Sequence, residues 1–157
     1  MRRKYSIIIA AVAILFSLSF SFSAAEKIER IDKSSILKTG KEWMENYDKF
    51  EPQNELLETV KNRLGRNLTI DVYLGLWCPD SRNNVPKFLK IMDRLNADVP
   101  VNYYTVQPKP NKNVKYYVED MKVERIPTFI FFRDGKEIGR IVENPKKSLL
   151  YDFLEIL

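Results

Sequence analysis

A largely apolar run over residues 68–76 is the clearest feature of the hydrophobic pattern, and it is typical of a buried strand. From residue 81 onward apolar residues recur at intervals of three or four, namely Val85, Phe88, Leu89, Met92 and Leu95. This spacing predicts a helix that runs to about residue 96. Between the two lie Pro79, Asp80 and Ser81, which are residue types favoured in the first turn of a helix. The pattern therefore predicts a strand that passes directly into a helix.

Two helical segments are predicted before this strand. Apolar residues recur at helical spacing over residues 36–50 and again over residues 52–65. Gly40 is expected to weaken the first of these helices. The charged residues 26–34 are expected to form a mobile leader. We interpret residues 26–66 as an N-terminal helical extension that packs on the rest of the chain.

The pattern predicts two more strands, two more helices and a hairpin turn after the central helix. In chain order these are a strand at 99–107, a helix at 114–121, a strand at 129–132, a turn at Asp134-Gly135 and a last helix capped by Ser148. Strands and helices that alternate in this way predict an α/β fold, with a mixed central sheet flanked by helices.

The first 25 residues have the plan of a secretory signal. A basic start at residues 2–4 is followed by an unbroken apolar run at 7–16 and by a small-residue exit, Ser23-Ala24-Ala25. We expect cleavage after Ala25 and export to the periplasm or the extracellular space. If the segment were not cleaved, its length would allow it to anchor the protein in a membrane.

Removing this segment changes the charge balance. Three of the 26 basic residues and none of the 21 acidic residues lie in residues 1–25, so the remainder has a net charge of only +2. This balance gives no reason to expect a nucleic-acid partner. We expect the mature protein to be a monomer.

The chain has no histidine and only one cysteine, Cys78. These absences exclude an intramolecular disulfide, a zinc site of the usual kind and hydrolysis by a serine–histidine pair. The sequence therefore predicts neither a metal nor a cofactor, and Cys78 is the main candidate for chemistry.

Cys78 lies at the predicted junction between the central strand and its helix. The unpaired N–H groups of a first helical turn favour a thiolate, and so would Arg82 and a hydrogen bond donated by the Ser81 hydroxyl. The carboxylate of Asp80 opposes this effect. The alternative is that Cys78 is a small buried apolar residue of the core.

Two motifs in this chain resemble those of the thioredoxin family. Residues 77–81, Trp-Cys-Pro-Asp-Ser, are similar to the Trp-Cys-x-x-Cys motif of that family, and Pro86 corresponds to the proline that kinks its active-site helix. Residues 126–141 look like the proline loop and strand hairpin of the family. The resemblance covers residues 67–157, which we take as a thioredoxin-like domain, and it implies that Pro127 is cis and lies against the sulfur.

The chain also departs from the family pattern at two positions. Ser81 replaces the second cysteine, so the site has a Cys-x-x-Ser form. Val72 replaces the buried aspartate that assists many thioredoxins, and the neighbouring Asp71 is expected to face the other side of the strand. A dithiol reductase cycle is therefore not expected.

Three functions remain compatible with this pattern. The first is a monothiol thiol-disulfide oxidoreductase or isomerase, in which Cys78 forms mixed disulfides with a protein or a small thiol. The second is a non-redox module that binds an extended peptide or a partner protein. The third is glutathione or iron–sulfur ligation, as in monothiol glutaredoxins, which an exported location disfavours.

The resemblance implies a set of site residues for the first two functions. The catalytic candidates are Cys78, Ser81 and Pro127. The candidates for contact with the substrate or partner are Trp77, Pro79, Asp80, Ile126 and Thr128.

Overall fold

The computed structural model describes residues 28–157. Its five strands are β1 (Glu29–Ile31), β2 (Leu68–Leu74), β3 (Val101–Thr105), β4 (Thr128–Arg133) and β5 (Lys136–Val142). Its five helices are α1 (Lys33–Lys38), α2 (Lys41–Lys49), α3 (Asn54–Arg63), α4 (Pro79–Leu95) and α5 (Leu149–Ile156).

The strands form one mixed sheet in the order β1-β3-β2-β4-β5. The central pair, β2 and β3, is parallel, and helix α4 makes the crossover that a parallel pair requires. The other three pairs are antiparallel. The turn between β4 and β5 has positive φ at both Asp134 and Gly135, as a tight hairpin needs, which confirms the predicted turn. The predicted mixed sheet flanked by helices is present.

The main core lies between the sheet and the helices. Alternate residues of β2 point to this side, and all five helices of the described chain contribute buried residues to the same cluster. At its centre the Phe131 and Phe153 rings are 4.7 Å apart, and Phe88 lies 4.9 Å from Phe129. This cluster holds α4 against the sheet, and its first turn therefore has a fixed position at the end of β2.

The opposite side of the sheet carries a second, smaller cluster. Tyr73 of β2 and Ile130 of β4 are buried there together with Val118 and Val123. The last two belong to residues 107–125, which contain an isolated bridge between Val118 and Val123 but no helix. The predicted helix at 114–121 is therefore wrong, because its apolar residues are buried by this bridged turn rather than by a helical face.

The N-terminal part of the described chain differs from the prediction in two ways. Residues 29–31, expected in a mobile leader, form the edge strand β1, which pairs with β3. The single helix expected over residues 36–50 is divided into α1 and α2 at Gly40, which is the N-cap of α2. The domain boundary at residue 66 stays a prediction.

The predicted signal segment, residues 1–25, lies outside the described residues. Between residues 28 and 157, no helix has the length and apolar character that crossing a bilayer would require. Export and cleavage after Ala25 stay predictions.

Candidate functional site

Cys78 is placed by the turn that joins β2 to α4. Its backbone N–H donates to the carbonyl of Gly75 at 3.0 Å, and its own carbonyl accepts from Arg82 N–H at 3.0 Å. Cys78 is the N-cap of α4, and Pro79 occupies the first helical position. A side chain at Gly75 would meet the Ile126 Cδ1 atom at 2.7 Å, so glycine allows the turn to approach the loop before β4.

The Cys78 sulfur faces the loop around Pro127. The thiol donates a hydrogen bond to the carbonyl oxygen of Ile126 at 3.5 Å, and the Ile126–Pro127 peptide bond is cis. The expectation that Pro127 is cis and close to Cys78 is therefore confirmed. Cys78 is only 7% exposed, so little of the sulfur is open to solvent in this conformation.

Ser81, which the sequence resemblance compares with a second cysteine, lies in the first turn of α4. It is fully buried, and its hydroxyl oxygen accepts a hydrogen bond from Gly75 N–H at 3.2 Å. The sequence instead suggested a hydrogen bond from this hydroxyl to the Cys78 sulfur. Ser81 therefore ties the helix start to the preceding turn.

The charged residues of the first turn have separate environments. Arg82 forms an ion pair with Glu42 of α2, with 2.7 Å between Nη1 and Oε2. Sequence reasoning considered Arg82 only in relation to Cys78, whereas the structure pairs its guanidinium with a carboxylate of a neighbouring helix. Asp80 is half-buried in the same turn.

An aromatic pair stands beside the sulfur. Trp77 is 46% exposed, its indole N–H donates to the carbonyl of Val106 at 3.2 Å, and its ring lies 6.2 Å from that of Tyr117. Burial raises the pKa of the Tyr117 phenol, and Cys78 and Glu143 raise it further, so the hydroxyl stays protonated at neutral pH. Sequence reasoning placed Tyr117 on a helix and missed it as a site residue. The available signal was an aromatic residue in the segment that leads into Ile126-Pro127.

Pro79, Ile126 and Thr128, the other residues predicted to contact a substrate or partner, differ in their exposure and in their distance from the sulfur. Pro79 is exposed at the rim of the site. Thr128 is buried, its hydroxyl donates to the carbonyl of Arg125 at 2.6 Å, and its backbone lies between Tyr73 and Val142 in the sheet. Thr128 therefore positions the loop, whereas the Ile126 carbonyl lies at the sulfur itself.

A cavity of about 310 Å³ lies elsewhere, on the helix side of the sheet. It is lined by the α2–α3 connection, part of α4 and the start of α5, and none of the predicted site residues reaches it. Among residues 28–157 there is no group of three or more potential metal ligands.

Comparisons with known proteins show which family and which fold this chain resembles. A protein-family model described as Thioredoxin matches residues 25–149. A thioredoxin-like protein of Acanthamoeba polyphaga mimivirus is 27% identical over 77 residues, which are 49% of this chain and 53% of that protein. A thioredoxin of Mycoplasmopsis pulmonis is 23% identical over 65% of this chain and 94% of its own length. The chain thus spans only about half the length of the mimivirus protein.

One solved structure extends the likeness to most of the described chain. A crystal structure of a Pseudomonas aeruginosa protein of unknown function has a TM-score of 0.62 and 17% sequence identity. The match covers 81% of this chain and 91% of that one. At this identity the likeness concerns the fold alone.

Proposed function

Because this chain belongs to the thioredoxin family, we propose that it is an exported monothiol protein whose Cys78 exchanges with the disulfide of a protein or a small molecule. The observation that carries the proposal is the position of Cys78. It caps the 17-residue helix α4 at its N-terminus and faces the carbonyl of Ile126, next to Pro127. The N-terminus of a helix favours the negative charge that a reacting sulfur acquires.

The exchange involves one bond formed and one broken. The Cys78 thiol first loses its proton to water and gives up its hydrogen bond to Ile126. The thiolate then attacks one sulfur of the partner disulfide, and a bond forms between Cys78 Sγ and that sulfur. The other partner sulfur leaves as a thiolate and takes a proton from water. No electrons are gained or lost overall, so no cofactor is needed.

Ser81 determines how the mixed disulfide is resolved. Its hydroxyl cannot attack the mixed disulfide as a cysteine at this position would. The adduct must therefore wait for a thiol outside this chain. A small thiol that attacks Cys78 Sγ forms a new disulfide there and releases the partner sulfur as a thiolate, whereas another thiol of the partner that attacks the partner sulfur forms a rearranged disulfide and releases Cys78 as a thiolate. A mature protein without residues 1–25 and in an oxidising compartment would meet disulfide-bonded partners.

A specific observation supports a second candidate function, a non-redox binding module. The Cys78 thiol is 7% exposed and donates to a carbonyl, as a cysteine that only contributes to packing would. In that case Trp77 and the loop around Pro127 would contact a partner without any reaction at the sulfur.

Alkylation of Cys78 by iodoacetamide distinguishes these two functions. If Cys78 is an exchanging thiol, we expect its alkylation rate under native conditions to rise with pH. We also expect this rate to be roughly a hundredfold or more above the alkylation rate that would be seen if Cys78 reacted only in globally unfolded molecules. The global limit comes from urea unfolding followed by tryptophan fluorescence, and a short cysteine peptide gives the reference rate. Labelling that occurs only at the global unfolding rate would support the binding module instead.

A further inference from the structure

Residues 107–125, which we call the cover segment, bury Cys78 on the side of the sheet away from the helices. Cys78 belongs to the second cluster together with Val106 and Ile126, and the cover segment supplies Val118 and Val123 to it. These two valines are 5% and 1% exposed. Residues 107–125 contain no helix, so a single layer of irregular backbone separates the Cys78 side chain from solvent on this side of the sheet.

Lys109 holds the two ends of the cover segment together. Its ammonium group donates to the carbonyl oxygens of Lys115 at 2.5 Å and Glu124 at 2.8 Å. The same group lies 4.4 Å from the centre of the Tyr117 ring, the residue beside Trp77. Hydrogen bonds from a charged donor are stronger than neutral ones, so one side chain stabilises much of the closed arrangement.

A second cation fixes the later part of the cover segment to the sheet. Arg140 of β5 donates from Nη1 to the carbonyl oxygens of Met121 at 3.2 Å and Lys122 at 3.5 Å. Within the segment, Tyr117 N–H donates to the carbonyl of Val123 at 2.7 Å. A segment stabilised by a few such contacts can open at a lower free energy than the whole domain unfolds.

From these contacts we propose that the cover segment opens locally to expose Cys78 and that Lys109 is the positioning residue that keeps it closed. Opening removes Tyr117 and the two valines from the neighbourhood of the sulfur, while the main core and helix α4 stay folded. This inference rests on the proposed function in one respect, that Cys78 is the reacting group. Access to the sulfur can be measured separately from any exchange.

The test is the iodoacetamide rate of Lys109→Met, in which the aliphatic part of the side chain is kept and the charge is lost. We expect Cys78 in this variant to react roughly tenfold faster than in the natural chain, because two charge-assisted hydrogen bonds to the segment are lost. Lys112→Met is the matched control, since Lys112 is exposed in the same segment, and its rate should equal that of the natural chain. Arg140→Met should also accelerate labelling.

Urea separates local opening from global unfolding in this test. The added reactivity of Lys109→Met should persist at urea concentrations well below the unfolding transition and depend only weakly on urea. An unchanged rate in Lys109→Met would overturn the role given to Lys109, and an unchanged rate in both Lys109→Met and Arg140→Met would overturn the proposal as a whole. So would an increase that merely follows the fraction of globally unfolded protein.

The outcomes also keep this proposal distinct from the proposed function. If the variants are labelled faster while the natural chain forms no mixed disulfide, the cover segment gates a thiol that does not exchange. If the natural chain exchanges readily and the variants behave like it, the exchange stands and the gating role of Lys109 is wrong.

Discussion

Replacing Ser81 with cysteine is expected to create a disulfide between residues 78 and 81 and to raise the rate of insulin reduction by about tenfold or more over the natural chain. Ser81 is fully buried one helical turn after Cys78. A second thiol at this position is held next to the mixed disulfide, and its attack is intramolecular rather than dependent on an external thiol. The measurement is insulin precipitation in the presence of a small reductant.

The increase in insulin reduction by Ser81→Cys is limited, because Val72 is fully buried and provides no carboxylate to accept the proton of the new thiol. Ser81→Ala is the matched control, since it also removes the hydroxyl that accepts from Gly75 N–H but adds no sulfur. It should leave insulin reduction at the natural level. If Ser81→Cys forms no 78–81 disulfide under oxidising conditions, the two side chains are not arranged as in a thioredoxin.

Replacing Phe131 with alanine is expected to reduce the free energy of unfolding by about 3–5 kcal/mol. Phe131 is fully buried, and its ring lies 4.7 Å from that of Phe153, which in turn lies 6.4 Å from Phe88. The change removes this aromatic contact and leaves a cavity between the sheet and α5. A domain of this size is stable by only about 5–15 kcal/mol, so the variant should be close to unfolding at physiological temperature. Urea unfolding measures the loss.

The next residue of the same strand provides the control for this prediction. Phe132 faces the second cluster and is only half-buried there. Phe132→Ala should therefore cost about 1–2 kcal/mol, clearly less than Phe131→Ala. Equal losses in the two variants would contradict the assignment of the main core to the helix side of the sheet.

Local signals explain which parts of the fold the sequence could predict. The passage from β2 to α4 follows from a change of apolar period next to Pro79 and Ser81, and the hairpin turn follows from Asp134-Gly135. All of these residues act within a few positions of their own element. The prediction of the central strand, its helix and the turn between β4 and β5 needed no information from the rest of the chain.

Contacts between distant residues explain what the sequence could not predict. Residues 29–31, two of which are charged, form a strand because they pair with residues 103–105, more than seventy positions away. The apolar spacing at 114–121 fits a helix, but a bridge from Val118 to Val123 buries these residues instead. Neither arrangement leaves a local pattern.

In the functional site, too, some features follow from the local sequence and others depend on residues that are distant in the chain. Its helix start could be predicted from the residues around Cys78, whereas the contact between the sulfur and the Ile126 carbonyl joins positions 48 residues apart. That contact was expected only because of the family resemblance. The ion pair of Arg82 with Glu42 and the place of Tyr117 beside Trp77 required the structure, because both depend on how separate elements pack.

The most direct test of the central claim is the intact mass of the protein after incubation with oxidised glutathione at mildly alkaline pH. The natural chain should gain one glutathione, which persists until a reductant is added, whereas Cys78→Ser should gain none. Ser81→Cys should lose the adduct on its own as the 78–81 disulfide forms. A natural chain that gains no glutathione, under conditions in which a short cysteine peptide is fully modified, would contradict the account of Cys78 as an exchanging thiol.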